Sequence, residues 1–230
     1  LSERQASRMP VAARAPTNTH SPDASDPDYA LSRLAISPQA DGAALVLMAS
    51  AEFCARHRIK PTNHWLGGLS LGTDPENPLT GALAAAQALL QRHRLSPDAL
   101  HAVELHDAFA VQGLAFQQAL QPQGLDPERI NAWGGGLARG HPIGASGAIA
   151  LVELLARLHA AQPVPCATSV VPEKPESSGI PTAPSAAPHP VRPDMPGTEA
   201  TIMPHHPRLG LACIAGVGGL GSAALVAAHR

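Results

Sequence analysis

The chain has 230 residues, of which 44% are apolar, 15% charged and 3% aromatic, and its formal net charge is −2. That length accommodates one or two domains with a sizeable core. The charge balance gives no basic footprint for nucleic acid or an anionic membrane, and no apolar run approaches the roughly 18 residues of a membrane span. Three widely spaced cysteines, Cys54, Cys166 and Cys213, suit a reducing compartment better than a disulfide framework, so a cytoplasmic location is expected. Residues 1–16 are rich in Arg, Ala and Ser and faintly resemble a transit peptide without its long amphipathic pattern, which leaves organellar targeting open. A first residue other than Met suits a fragment or a processed product.

Residues 1–38 are Pro-, Ser-, Asp- and Ala-rich without periodicity and are expected to be irregular. After the Asp41-Gly42 turn, the apolar run at 43–48 predicts a buried strand. Ser50 predicts an N-cap for a short helix through His57. The glycine-interrupted apolar residues at 59–71 predict a long bent strand, and the Ala/Leu/Gln-rich run at 79–92 predicts a helix. Ser96 and Pro97 open a further turn of helix, residues 101–105 form a strand, and 108–120 form a second strong helix.

Between Asn131 and Gly147 lies NAWGGGLARGHPIGASG, with six glycines and one His held next to a Pro. Glycine at that density marks backbone that turns sharply or approaches a ligand, and the following Pro stiffens the chain at His141. The loop empties into a predicted helix at 145–161, whose N-terminal N–H groups could receive an oxyanion. Residues 163–207 change character: about a third are Pro or His, which predicts a disordered insertion. Two apolar runs, 209–214 and 220–227, joined by glycines, predict a terminal β-hairpin. Strands alternate with helices, so the expected fold is an α/β layered domain, a mixed sheet with helices packed on it. The domain is expected to comprise 39–162 and 208–230.

Three segments, in this order, resemble the C-terminal half of the thiolases. VELHDAFAVQGLAF (103–116) is similar to the family's Asn-Glu-Ala-Phe block, the glycine loop to its Gly-His-Pro-x-Gly-x-Ser-Gly signature, and GLACIAGVGGLG (210–221) to its terminal Cys block. The resemblance covers roughly 36–161 and 208–230. It implies acyl transfer between a cysteine thiol and coenzyme A, with coenzyme A as a substrate and no permanently bound cofactor. It implies that His141 activates the thiol and donates to the thioester oxygen, and that Cys213 is the acid/base for the α-proton or the leaving thiol. His106 stands where the family more often has Asn. Its His-Asp-Ala-Phe block resembles the sterol-carrier-protein type, in which this group positions water or thioester in an oxyanion hole. Phe109 would line the acyl pocket, Gly140 would bring backbone close to the substrate, and Ala215 falls where a glycine N–H helps form an oxyanion hole. Asn131 is expected to brace the loop through backbone hydrogen bonds.

The family's nucleophilic cysteine lies in its N-terminal half, to which nothing in this chain corresponds. Cys54 falls in a predicted surface helix and Cys166 in the Pro-rich insertion, so neither is assigned that role. The expected partners are therefore acyl-CoA thioesters together with an N-terminal thiolase half or further copies of the chain. The rival reading is a catalytically incomplete scaffold or binding subunit. Gly216-Val-Gly-Gly-Leu-Gly matches a dinucleotide fingerprint but has no following helix, strand and acidic residue. His189, His205 and His206 lack metal-ligand spacing and read as linker histidines.

Overall fold

A computed structural model of the chain describes residues 11–14, 30–160 and 207–228. The chain divides into one unit comprising Leu1–Pro163 with Pro207–Arg230, and another at Val164–His206. The second unit lies outside the described residues, as do Cys166, His189, His205, His206 and the body of the Pro-rich insertion.

Within the segment expected to be irregular, β1 (Val11–Arg14) pairs antiparallel with β2 (Ala30–Ser32). A 3-10 turn, Arg33–Ala35, follows, with the Ser32 hydroxyl accepting from Leu34 N–H. Helix α1 (Ala51–His57) starts as Ser50 predicts: the Ser50 hydroxyl accepts from Phe53 N–H at 3.1 Å, and Arg58 closes the helix in the left-handed region.

The main sheet has the order β3-β6-β5-β4, from β3 (Asn63–Gly72), β4 (Leu100–Leu105), β5 (Arg208–Gly216) and β6 (Leu220–Ala228). β4 and β5 run parallel, while β6 is antiparallel to both β5 and β3. The mixed sheet and the terminal hairpin agree with the sequence expectation, and a bulge between Trp65 and Gly67 supplies the expected bend of β3.

Side chains alternate across the strands and build a core on each face. On one face, Val103, Leu105, Leu211, Cys213, Ala223 and Leu225 pack with α2 (Gly81–Arg92) and α3 (Ala110–Leu120). Leu89 of α2 and Phe116 of α3 are fully buried there. Truncating either to Ala would cost about 2–5 kcal/mol, transfer and cavity terms together. On the other face, Ala102, Ala212, Val226 and Ala228 meet Leu154 and Leu158 of α5 (Ser146–His159). The short helix α4 (Gly136–Arg139) lies within the glycine loop.

Residues 43–48 do not form the predicted buried strand. They have no regular structure, and Leu45, Leu47 and Met48 are 96%, 93% and 64% exposed. The run has strand composition, and its Ala43-Ala44-Leu45-Val46 repeats Ala223-Ala224-Leu225-Val226 of β6 letter for letter. A strand also needs a neighbour to satisfy its backbone groups, and no described strand pairs with this one.

Candidate active site

The glycine loop is tied to the end of β4 by one amide. Asn131 Nδ2 donates to Leu105 C=O at 2.9 Å, and its Oδ1 accepts from Leu105 N–H at 2.8 Å. The side chain thus serves Leu105 as a strand neighbour would. Asn131 N–H also donates to Val103 C=O at 2.9 Å, and Ile130 forms a parallel bridge to Val103. Asn131 therefore braces the loop as expected, immediately beside His106.

Asp107 makes the second tie. Its carboxylate accepts from the N–H groups of Gly136 and Leu137, in the first turn of α4, where a negative charge is favoured. Gly135 passes so close that a Cβ there would run into Asp107 and Asn131. Gly140 ends α4 with φ +95°, and a Cβ on it would stand 2.6 Å from the Ala40 methyl and 3.0 Å from Pro38 C=O. Both positions require glycine for space, and the second also for its backbone. Burial holds the Asp107 pKa above the usual carboxylate range against these hydrogen bonds.

These ties deliver His141 to His106. The two rings stack with centroids 4.3 Å apart and planes inclined by 41°. His141 N–H donates to Pro38 C=O at 2.7 Å, and its Nδ1 lies 2.8 Å from the Ser146 hydroxyl in the first turn of α5. Ser146 in turn donates to Pro142 C=O at 3.2 Å. In the arrangement in which Ser146 gives its proton to Pro142 C=O, the hydroxyl accepts from His141 Nδ1–H and Nε2 keeps a lone pair. That nitrogen can take a proton from a thiol and, once protonated, donate to an oxyanion.

His106 is a neutral group. It is buried, its Nε2 has no hydrogen-bond partner among the described residues, and its pKa is lowered to about 4. Burial is the first cause, followed by the nearby His141 and Arg139. A cavity of about 140 Å³ adjoins it, lined among others by Asp41, Arg139, Gly140 and Ser146.

Cys213 is placed differently. Its backbone C=O accepts from His106 N–H at 2.9 Å, but its side chain points with Leu211 into the core under α2 and α3. No hydrogen bond joins Sγ to either imidazole among the described residues; its polar contact is Glu104 C=O at 3.9 Å. Full burial, with Glu104 nearby, raises its pKa far above that of a free thiol. Cys213 also forms part of the wall of a groove of about 530 Å³ beside α5, with Trp65, Ser70, Gly147 and Ile214. Phe109 is half-buried at the N-cap of α3, its N–H donating to Gln112 Oε1 at 3.0 Å. Ala215 is half-buried on β5 opposite Gly221. Cys54 is buried on α1.

Three features escaped the sequence reading. Ser146 sits five residues after His141, a spacing that could have flagged it. Glu104 and Arg157 form a buried ion pair at 2.6 Å, and Arg157 also donates to Val103 C=O and Arg129 C=O. The Glu104 pKa is raised by burial against the opposing pull of Arg157. Ser37 is buried and donates to Gly136 C=O, a contact across 99 residues that no local pattern signals.

The family model for the thiolase C-terminal domain matches residues 59–171. The β-ketoadipyl-CoA thiolase of Pseudomonas aeruginosa is 41% identical over 118 residues, 51% of this chain and 29% of that protein. A probable acetyl-CoA acyltransferase of Staphylococcus aureus is 39% identical over 119 residues, 52% of this chain and 30% of that protein. Among solved structures, the Acat5 thiolase from Ascaris suum in complex with coenzyme A superimposes with a TM-score of 0.55 at 28% identity, covering 79% of this chain and 35% of that one. Human mitochondrial 3-ketoacyl-CoA thiolase gives a TM-score of 0.55 at 22% identity, a likeness of fold, over 79% of this chain and 34% of that one. The chain thus spans about a third of the length of these relatives. With the fold and these matches in agreement, residues 59–171 match the C-terminal domain of the thiolase superfamily.

Proposed function

We propose that this chain contributes the imidazole half of a thiolase-type active site, transferring acyl groups between a cysteine thiol and coenzyme A in condensation or thiolysis of 3-ketoacyl-CoA. The observation that carries this reading is the stacked His106–His141 pair, with His141 Nδ1 engaged by Ser146 and Nε2 left to react. In the proposed reaction His141 Nε2 takes the proton of a thiol, the thiolate adds to the thioester carbonyl, and the same Nε2–H then faces the developing oxyanion. His106, neutral at physiological pH, holds a water or the thioester oxygen through its unpaired Nε2. Cys213 is proposed as the acid/base that handles the α-proton or protonates the leaving thiolate, a role that requires its side chain to turn out of the core in which it packs with Leu211. Phe109, Ala215 and Gly140 are proposed to contact the substrate. Coenzyme A is a substrate in this scheme and no resident cofactor is invoked. The His-Asp-Ala-Phe sequence supports the sterol-carrier-protein type.

The nucleophile is proposed to come from an N-terminal thiolase half. Both described cysteines are buried, which suits neither for attack. The open groove beside α5 and the exposed residues 43–48 offer a partner a sheet face and an unpaired strand-like segment. Residues 39–162 and 208–230 are proposed as the functional domain, with 163–207 an insertion, in a reducing, cytoplasmic setting. Among the described residues, no helix is long and apolar enough to cross a membrane. The buried cysteines equally favour a scaffold or binding subunit. Adding a separately expressed N-terminal half and measuring 3-ketoacyl-CoA thiolysis separates the two readings. Enzyme function requires activity in the mixture that His141→Ala abolishes; activity that ignores His141 would favour the scaffold.

A further inference from the structure

We propose that residues 36–41 are a positioning strap for the imidazole pair, with Ser37 as its key residue: the strap ties the His106 block to the glycine loop and so sets the two rings against each other. The inference rests on the function proposed above only in its kinetic consequence.

The strap touches both histidine-bearing segments. Towards the His106 side, Ser37 N–H donates to Ala108 C=O at 2.8 Å, and Ile36 forms an antiparallel bridge to Phe109. Towards the His141 side, the Ser37 hydroxyl donates to Gly136 C=O, Pro38 C=O accepts from His141 N–H at 2.7 Å, and Gln39 bridges to His141 in parallel. Ala40 fills the space that a side chain on Gly140 would need. Ser37 is thus the one residue of the strap with a backbone bond to one segment and a side-chain bond to the other. It is buried, whereas Pro38 and Gln39 are exposed. Its hydroxyl cannot be replaced by solvent without opening the space between α4 and the strap. Gly42 continues the strap along the loop, close enough to Pro142 and Ile149 that a Cβ there would touch both. The strap adds a third cross-tie to those of Asn131 and Asp107 between the segments that hold the rings 4.3 Å apart, where a displacement of about 1 Å is enough to cost on the order of 100-fold in rate.

Ser37→Ala in the full chain tests this without any enzyme assay, through NMR of the imidazole rings. Loosening the strap should hydrate His106, raising its titration midpoint from about 4 towards the ordinary range, and should shift the His141 ring signals. Ser37→Thr, which keeps the hydroxyl, should restore both. Should Ser37→Ala not fold, Pro38→Ala, which only frees φ at an exposed residue, carries the same test. In the chain completed by an N-terminal half, the loosened variant should lose about tenfold in kcat with KM little changed. Unchanged ring titration alongside a lowered melting temperature would overturn the proposal, leaving Ser37 a plain structural residue. A completed wild-type chain that stays inactive, with the ring shifts present in Ser37→Ala, would sink the proposed function and leave the strap standing.

Discussion

Acid should destabilise this chain through His106, and the size of the effect follows from its burial. The group's pKa falls from 6.5 to about 4 on folding, so the folded state excludes a proton that the unfolded chain binds readily. The contribution is therefore complete above pH 6.5 and is lost as pH falls towards 4. At about 1.36 kcal/mol per pH unit the ceiling is about 3 kcal/mol, with about 2 kcal/mol already lost at pH 5. Discounted for solvent screening at the partly shielded ring, about 1–2 kcal/mol is expected at pH 5. Asp107 and Glu104 act in the opposite sense: their pKa values are raised in the folded chain, so acidification favours folding through them. His106→Asn cancels those contributions by difference. Urea denaturation of both proteins at pH 7 and pH 5 should show wild type losing about 1–2 kcal/mol more than the variant. Equal losses would mean that His106 is not held neutral against His141, and the account of the pair would fail.

Arg157→Met should cost about 3–5 kcal/mol in urea denaturation, because it leaves the buried Glu104 carboxyl without its partner. Adding Glu104→Leu should recover much of that loss, since an apolar pair of similar volume needs no compensation. Leu45→Asp and Leu47→Asp, at residues 96% and 93% exposed, should leave the stability of the chain alone within about 0.5 kcal/mol. The same substitutions should weaken association with an added N-terminal half at least tenfold by titration calorimetry. Unaltered affinity would remove residues 43–48 from the proposed interface.

Helices α2 and α5 and the closing hairpin were legible because their apolar periodicity agrees with what packs on them. The run at 43–48 misled because composition specifies that a segment can be a strand, while pairing depends on a neighbour elsewhere in space. The loop around His141 was legible from its glycines, and Asn131 from its place at the loop's entry. The side on which Cys213 lies was only half legible: alternation pairs it with Leu211, but only the packed sheet shows that both enter the core under α2 and α3. Ser37 was illegible because its partner is 99 residues away and its neighbours are ordinary loop residues.

The central claim is that this chain supplies the base and another chain or segment supplies the attacking thiol. Mass spectrometry of the reconstituted pair after brief exposure to acetyl-CoA tests it most directly. The account predicts one acetyl group on a cysteine of the N-terminal half, lost when His141 is replaced by Ala. An acetyl group on Cys54, Cys166 or Cys213 of this chain would contradict it.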